Sequence, residues 1–123
     1  RIMPGQDLNG IIRDMNALGE THARKSGARV GLDIVSLSEA APATPLNSPI
    51  VAALTRSIMA VRGAAAKPLG IGGGTCAAHF RHAGIPAAVW ATIDEKAHEP
   101  NEYAVIKNLV SDAKVHAHLF MTA

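Results

Sequence analysis

The chain has 123 residues, which favours one domain or two small lobes. Its hydrophobic content of 48% argues against disorder, while an aromatic content of 3% and a net charge of +2 argue against nucleic acid as a partner. The lone Cys76 excludes an internal disulfide and is typical of a cytoplasmic protein, and no apolar run is long enough to span a membrane.

The first predicted element is a helix that begins after Asp7 and ends at Gly27. Aspartate is a good N-cap, glycine is a good helix terminator, and apolar residues between them recur at helical spacing. Residues 29–38 alternate in polarity and predict a strand. If residues 1–3 end another strand, this region is a strand, helix, strand unit.

Residues 40–49 contain three prolines and have the composition of a linker between lobes. Ser48 and Pro49 then form an N-cap followed by proline at the first helical position. The apolar stripe of the helix that they begin consists of Ile50, Leu54, Ile58 and Val61.

The rest of the chain alternates predicted strands (69–71 and 86–92) with predicted helices (75–83 and 103–120). This order predicts an α/β fold with a parallel or mixed sheet. In the last helix, the predicted buried face consists of Tyr103, Ile106, Leu109, Val110, Ala113, Ala117 and Phe120.

A glycine-rich turn at 70–75 joins a predicted strand to a predicted helix, where backbone can approach a ligand closely. A nucleotide-binding P-loop is excluded because no lysine follows Gly74. The dinucleotide pattern fails at its third glycine, which is replaced by Thr75. A small nucleotide-binding domain and a purely structural turn both stay open as alternatives.

Of the six histidines, His98 has the surroundings that best suit a metal ligand. It lies in a predicted loop after a strand, and Pro100 makes that loop stiffer. Asn101 and Glu102 are suited to orient an imidazole by hydrogen bonding. The alternative is an ordinary surface or core histidine. No other cluster of histidine and cysteine has zinc-ligand spacing.

Three motifs, at 72–75, 83–87 and 97–103, followed by a long terminal helix, resemble the C-terminal part of the dinuclear-zinc aminoacylase and carboxypeptidase family. That family includes acetylornithine deacetylase and succinyl-diaminopimelate desuccinylase. The resemblance implies that residues 1–45 are the second half of a ferredoxin-like lid, or dimerisation, domain. It implies that residues 46–123 are the C-terminal strands and helices of the catalytic α/β sheet.

The resemblance also implies roles for single residues. His98 would complete one of two zinc sites, with cobalt or manganese as alternative metals, and Glu102 would support it. Zinc there would activate water and polarise an amide carbonyl. The carboxylate of the substrate would be held by a second group of residues, namely Arg1, Gly73, Gly74 and Thr75.

The expected function is therefore a part of a zinc-dependent amidohydrolase that cleaves an N-acyl amino acid or a dipeptide. The family's other metal ligands and its general base lie upstream of the lid, so we expect no catalytic residue in this chain. We expect the chain to be inactive alone, to need the missing N-terminal half and to form a homo-oligomer. The alternatives are a dimerisation or interaction module and a remnant without catalysis.

Overall fold

The computed structural model describes residues 2–71, 73–94 and 96–122, and within them the regular structure is helical. The helices are α1 (Leu8–Ser26), α2 (Pro49–Arg62), α3 (Ala77–His82) and α4 (Ile106–Thr122). Long irregular segments connect them. None of these helices combines the length and the apolar character that crossing a membrane requires.

The predicted α/β fold is wrong for the part of the chain that is described, and with it the ferredoxin-like half of a lid. Residues 29–38, 69–71 and 86–92 form no strand, and neither do residues 2 and 3. Alternating polarity indicates a segment with two different faces, but a strand also needs the backbone of a neighbour. No pair of described segments supplies that backbone ladder.

The prediction of α1 is confirmed at both ends. Asp7 occupies the N-cap position, and Gly27 ends the helix in the left-handed conformation, with its N–H bonded to the carbonyl of Ala23. The Asp7 carboxylate makes no capping hydrogen bond, yet the nearby backbone N–H of Gly10 lowers its pKa, with a smaller contribution from Arg13. No residue of α1 is buried, so this helix lies outside the core.

The core lies between α2 and α4. Leu54 and Ile58 from α2 pack with Val115 and Leu119 from α4, and Val115 is completely buried. The predicted N-cap of α2 and its predicted apolar stripe are confirmed, since Ile50 and Val61 also pack against this cluster.

The predicted buried face of α4 is wrong. Most of its large members are exposed, including Ile106 (76%) and Phe120 (81%). The buried residues are Asp112, Val115 and Leu119. The prediction followed hydrophobicity alone, whereas this helix turns a carboxylate inward because that carboxylate has hydrogen-bond donors to accept from.

Residues 86–94 contact the core between α2 and α4 without forming a strand. Ala88 and Trp90 pack against the core, whereas Val89 and Ile93 point outward and are exposed. The Ala87 backbone exchanges two hydrogen bonds with the Thr44 hydroxyl, at 2.6 and 3.1 Å. The Thr44 side chain therefore makes the backbone hydrogen bonds of Ala87 that a neighbouring strand would otherwise make.

Candidate metal-ligand loop and glycine turn

The loop that carries His98 has an unusual backbone. His98 and Asn101, on either side of Pro100, have φ values of +66° and +61°. Left-handed conformation costs on the order of 1–3 kcal/mol for a residue other than glycine, and residues in sparsely populated conformations cluster at functional sites. Both side chains are exposed. The imidazole of His98 is therefore presented to solvent from a loop whose conformation is costly.

Glu102 holds this loop in a way that the sequence did not predict. Its carboxylate accepts a hydrogen bond from the backbone N–H of His98 at 3.2 Å. The expected contact was with the imidazole, as a means of orienting it. Glu102 thus supports the left-handed backbone of His98, while Asn101 has no described side-chain contact that would orient the ring.

Two residues of α4 hold the beginning of the loop. The Asp112 carboxylate accepts from the Thr92 backbone N–H and from its hydroxyl, both at 2.7 Å. One turn earlier, the Asn108 amide donates to the carboxylate oxygens of Asp94, at 3.0 and 3.2 Å. Sequence reasoning missed both helix residues. The available signal was an aspartate three residues before Val115.

The Asp112 carboxylate is almost buried and has a charged partner. Arg62 from α2 lies 3.2 Å away and also donates to the Thr92 hydroxyl. The Arg62 guanidinium lies 5.5 Å from the centre of the Trp90 ring, which packs 6.0 Å from the ring of His116. These contacts join α2, α4 and residues 90–92 in one network.

The glycine turn is open. Gly73 and Gly74 are exposed, Thr75 is half-buried, and the Thr75 carbonyl accepts from the N–H of Ala78 at 3.0 Å as α3 begins. A β-carbon on Gly74 would meet nothing within 4 Å, and one on Gly73 would touch only Ile71, at 3.8 Å. Packing within the described chain therefore does not require glycine at either position.

The described residues do not make a metal site by themselves. Nowhere in 2–71, 73–94 and 96–122 do three or more side chains of histidine, cysteine, aspartate or glutamate lie close enough together to hold an ion. A catalytic zinc site needs about three protein ligands, so His98 is at most one of them. Arg1, predicted to hold the substrate carboxylate, lies outside the described residues.

Comparison with known proteins defines the class. Over 129 residues the chain is 37% identical to an uncharacterised metallohydrolase of Methanococcus maripaludis, covering 94% of this chain and 31% of that protein. Over 72 residues it is 43% identical to an uncharacterised metallohydrolase of Methanocaldococcus jannaschii, covering 58% of this chain and 18% of that protein. The chain thus spans a third or less of the length of these relatives.

The family follows from a second comparison. Residues 5–122 match the model of peptidase family M20/M25/M40, and the chain belongs to that family. The predicted resemblance is confirmed at this level, whereas the deacetylase or desuccinylase type stays a prediction. No solved structure matches the chain.

Proposed function

We propose that this chain is one part of a zinc-dependent hydrolase that cleaves the amide bond of an N-acyl amino acid or a short peptide. The observation that carries the proposal is the family match over residues 5–122, together with the position of His98 in a loop of costly conformation. The metallohydrolase names of the two relatives agree with it.

His98 is the residue of this chain that we assign to the metal. Imidazole is a common zinc ligand, the ring is exposed, and Glu102 fixes the backbone that carries it. Because no group of three ligands is found in the described residues, the other ligands come from outside them. Cobalt and manganese are the alternative metals.

The glycine turn is the part that we assign to the substrate. Gly73 and Gly74 leave open space where a side chain would stand, so a carboxylate could approach the backbone there. The Thr75 hydroxyl and the guanidinium of Arg1 would complete the contacts, since arginine suits bidentate binding of a carboxylate.

The isolated chain is proposed to be inactive, because a single histidine does not make a catalytic zinc site. Activity then requires the remainder of a longer protein or a partner chain that supplies it. We also propose the division at residue 45, with 1–45 acting in self-association and 46–123 in the catalytic unit. The α2 and α4 core, which lies wholly within 46–123, supports that division.

A hybrid protein tests the proposal. The segment of the M. maripaludis metallohydrolase that matches this chain is exchanged for this chain, and hydrolysis of a panel of N-acyl amino acids and dipeptides is measured. We expect the zinc-loaded hybrid to cleave at least one substrate class. His98→Ala is expected to lower kcat/KM by at least about 100-fold, because the metal would lose one of its about three protein ligands.

The matched control is His82→Ala, which removes an exposed histidine of α3. That variant is expected to keep the activity of the hybrid within about twofold, as surface changes usually do. If His98→Ala retained full activity while the hybrid hydrolysed its substrate, the assignment of His98 would be wrong. If neither the hybrid nor the intact relative cleaved any amide, the reaction class would be wrong.

Self-association through α1 is a second candidate function, carried by the lack of any buried residue in this helix. Met15 and Leu18 are at least half exposed and line a groove together with Val30 and Leu32. Exposed apolar patches of this kind mark protein interfaces. Light scattering of the chain and of Leu18→Glu tests this function, and a monomer at every concentration would contradict it.

A further inference from the structure

We infer that Asp112 is a positioning residue for His98, acting through Thr92 at the start of the loop. The inference rests on the proposed role of His98 as a metal ligand. The carboxylate of Asp112 accepts from both the backbone N–H and the hydroxyl of Thr92, each at 2.7 Å. These two hydrogen bonds tie both the backbone and the side chain of Thr92 to α4.

The anchor is repeated one turn earlier on the same helix. Asn108 donates a hydrogen bond to Asp94, and Asp112 accepts one from Thr92, so each of these two residues of α4 holds one residue of the segment before the loop. The helix residues are four apart and therefore lie on one face, while the residues they hold are two apart and turn the same way. Residues 92–94 therefore lie along α4, with Thr92 beside Asp112 and Asp94 beside Asn108. The loop to His98 starts from this fixed base.

The other contacts of Asp112 fit a positioning role better than ligation. Its side chain is 13% exposed, and the Arg62 guanidinium 3.2 Å away compensates its charge. Its two oxygens already accept from Thr92 and Arg62, so the carboxylate is engaged in the fold. Asp112 holds the start of the loop at Thr92, and Glu102 holds the histidine itself by accepting from the His98 N–H.

The experiment uses the 123-residue chain and Thr92→Val, which replaces the hydroxyl by a methyl group of similar size and removes its hydrogen bonds with Asp112 and Arg62. Asp112→Ala is the more obvious variant, but it also destabilises the fold, and that effect would be mixed with any effect on the loop. The readout is the ¹⁵N order parameter of the His98 amide. We expect a value of about 0.85 in the parent and a fall toward about 0.6 in Thr92→Val. Thr92→Ser, which keeps a hydroxyl at this position, should have the same order parameter as the parent.

Ile58→Val is the matched control, because it loosens the buried core between α2 and α4 without touching Thr92. It is expected to leave the order parameter of His98 unchanged even though its unfolding midpoint falls. If Ile58→Val lowered the order parameter as much as Thr92→Val, Asp112 would only stabilise the fold. If Thr92→Val left the order parameter unchanged, the hydrogen bond from the Thr92 hydroxyl to Asp112 would not position His98, and the inference would be overturned.

Cobalt binding to the hybrid separates this inference from the proposed function. Thr92→Val is expected to weaken cobalt binding about 10-fold and to shift the visible absorption of the bound ion, as loss of outer support for a ligand does. Thr92→Ser should restore both. If the parent hybrid bound no cobalt, the proposed function would fail, while the order parameters would still decide whether Asp112 positions His98.

Discussion

Helices α1 and α4 are similar in length and both are amphipathic, yet only one of them is part of the core. α1 (Leu8–Ser26) buries no residue, whereas α4 (Ile106–Thr122) buries three, including a charged one. The difference is that α4 has α2 and residues 88–94 to pack against. Periodicity therefore predicts that a helix forms, and the available partners decide which face it buries.

The largest effect is expected in the core of α4. Val115→Ala removes two methyl groups from a completely buried side chain and leaves a cavity between α2 and α4. We expect a loss of about 2–3 kcal/mol in the free energy of unfolding, measured by urea denaturation. Phe120→Ala is the control on the same helix and should change the free energy by less than about 0.5 kcal/mol, because its side chain is exposed. A larger loss in Phe120→Ala than in Val115→Ala would mean that the predicted apolar face, not the observed one, is buried.

Asp112 should come next. Asp112→Ala leaves the backbone N–H and the hydroxyl of Thr92 without their acceptor and removes the charged partner of Arg62. We expect unfolding to become about 1–3 kcal/mol easier in the same urea measurement, because unsatisfied buried polar groups carry that cost. Asp14→Asn, at an exposed position of α1, is the control and should be nearly neutral. A neutral Asp112→Ala would show that the network contributes nothing to folding.

A smaller effect is expected at the end of α1. Gly27 has φ +71° and a β-carbon there would meet no atom within 4 Å, so the cost of Gly27→Ala comes from backbone strain alone. We expect about 1 kcal/mol, seen as helix fraying by circular dichroism. Gly74→Ala, which meets neither strain nor contact, is the control. If Gly27→Ala cost nothing, the helix would not end there in the left-handed conformation.

The smallest effect is the pH response of the start of α1. The backbone N–H of Gly10 lowers the pKa of Asp7 below its usual value, and Arg13 adds to this. A lowered pKa means that the ionised carboxylate stabilises the helix at neutral pH, and that this contribution is lost as the pH falls through the folded pKa. The magnitude of the negative ellipticity at 222 nm should therefore decrease slightly on acidification. Asp7→Asn should make that decrease smaller. An unchanged acid response in Asp7→Asn would contradict the assignment.

The helices could be predicted from the sequence because their signals are local. Asp7 and Gly27 mark the ends of α1, and Ser48 with Pro49 marks the start of α2, as the structure confirms. The sheet could not be predicted correctly, because pairing depends on a neighbouring backbone that no local pattern specifies. The predicted inner face of α4 failed for a similar reason. Asp112 is buried because Thr92 and Arg62 donate hydrogen bonds to its carboxylate, and both residues are distant from it in the sequence.

The candidate site divides in the same way. His98 and the glycine turn were found from their motifs, but their roles stay predictions because the described residues contain no group of three metal ligands. Glu102 was predicted to support His98 through its ring, whereas it contacts the backbone of His98, and its role at a metal site stays a prediction. Asp112 and Asn108 were missed, since polar residues of a helix are ordinarily read as its solvent face.

The zinc content of the hybrid protein tests the central claim most directly. Elemental analysis after dialysis against metal-free buffer should give about two zinc ions per chain in the parent hybrid and in His82→Ala. His98→Ala should retain about one, because His98 completes one of two sites in this account. If His98→Ala retained both ions, with the same affinities as the parent, His98 would not be a metal ligand and the account would be wrong.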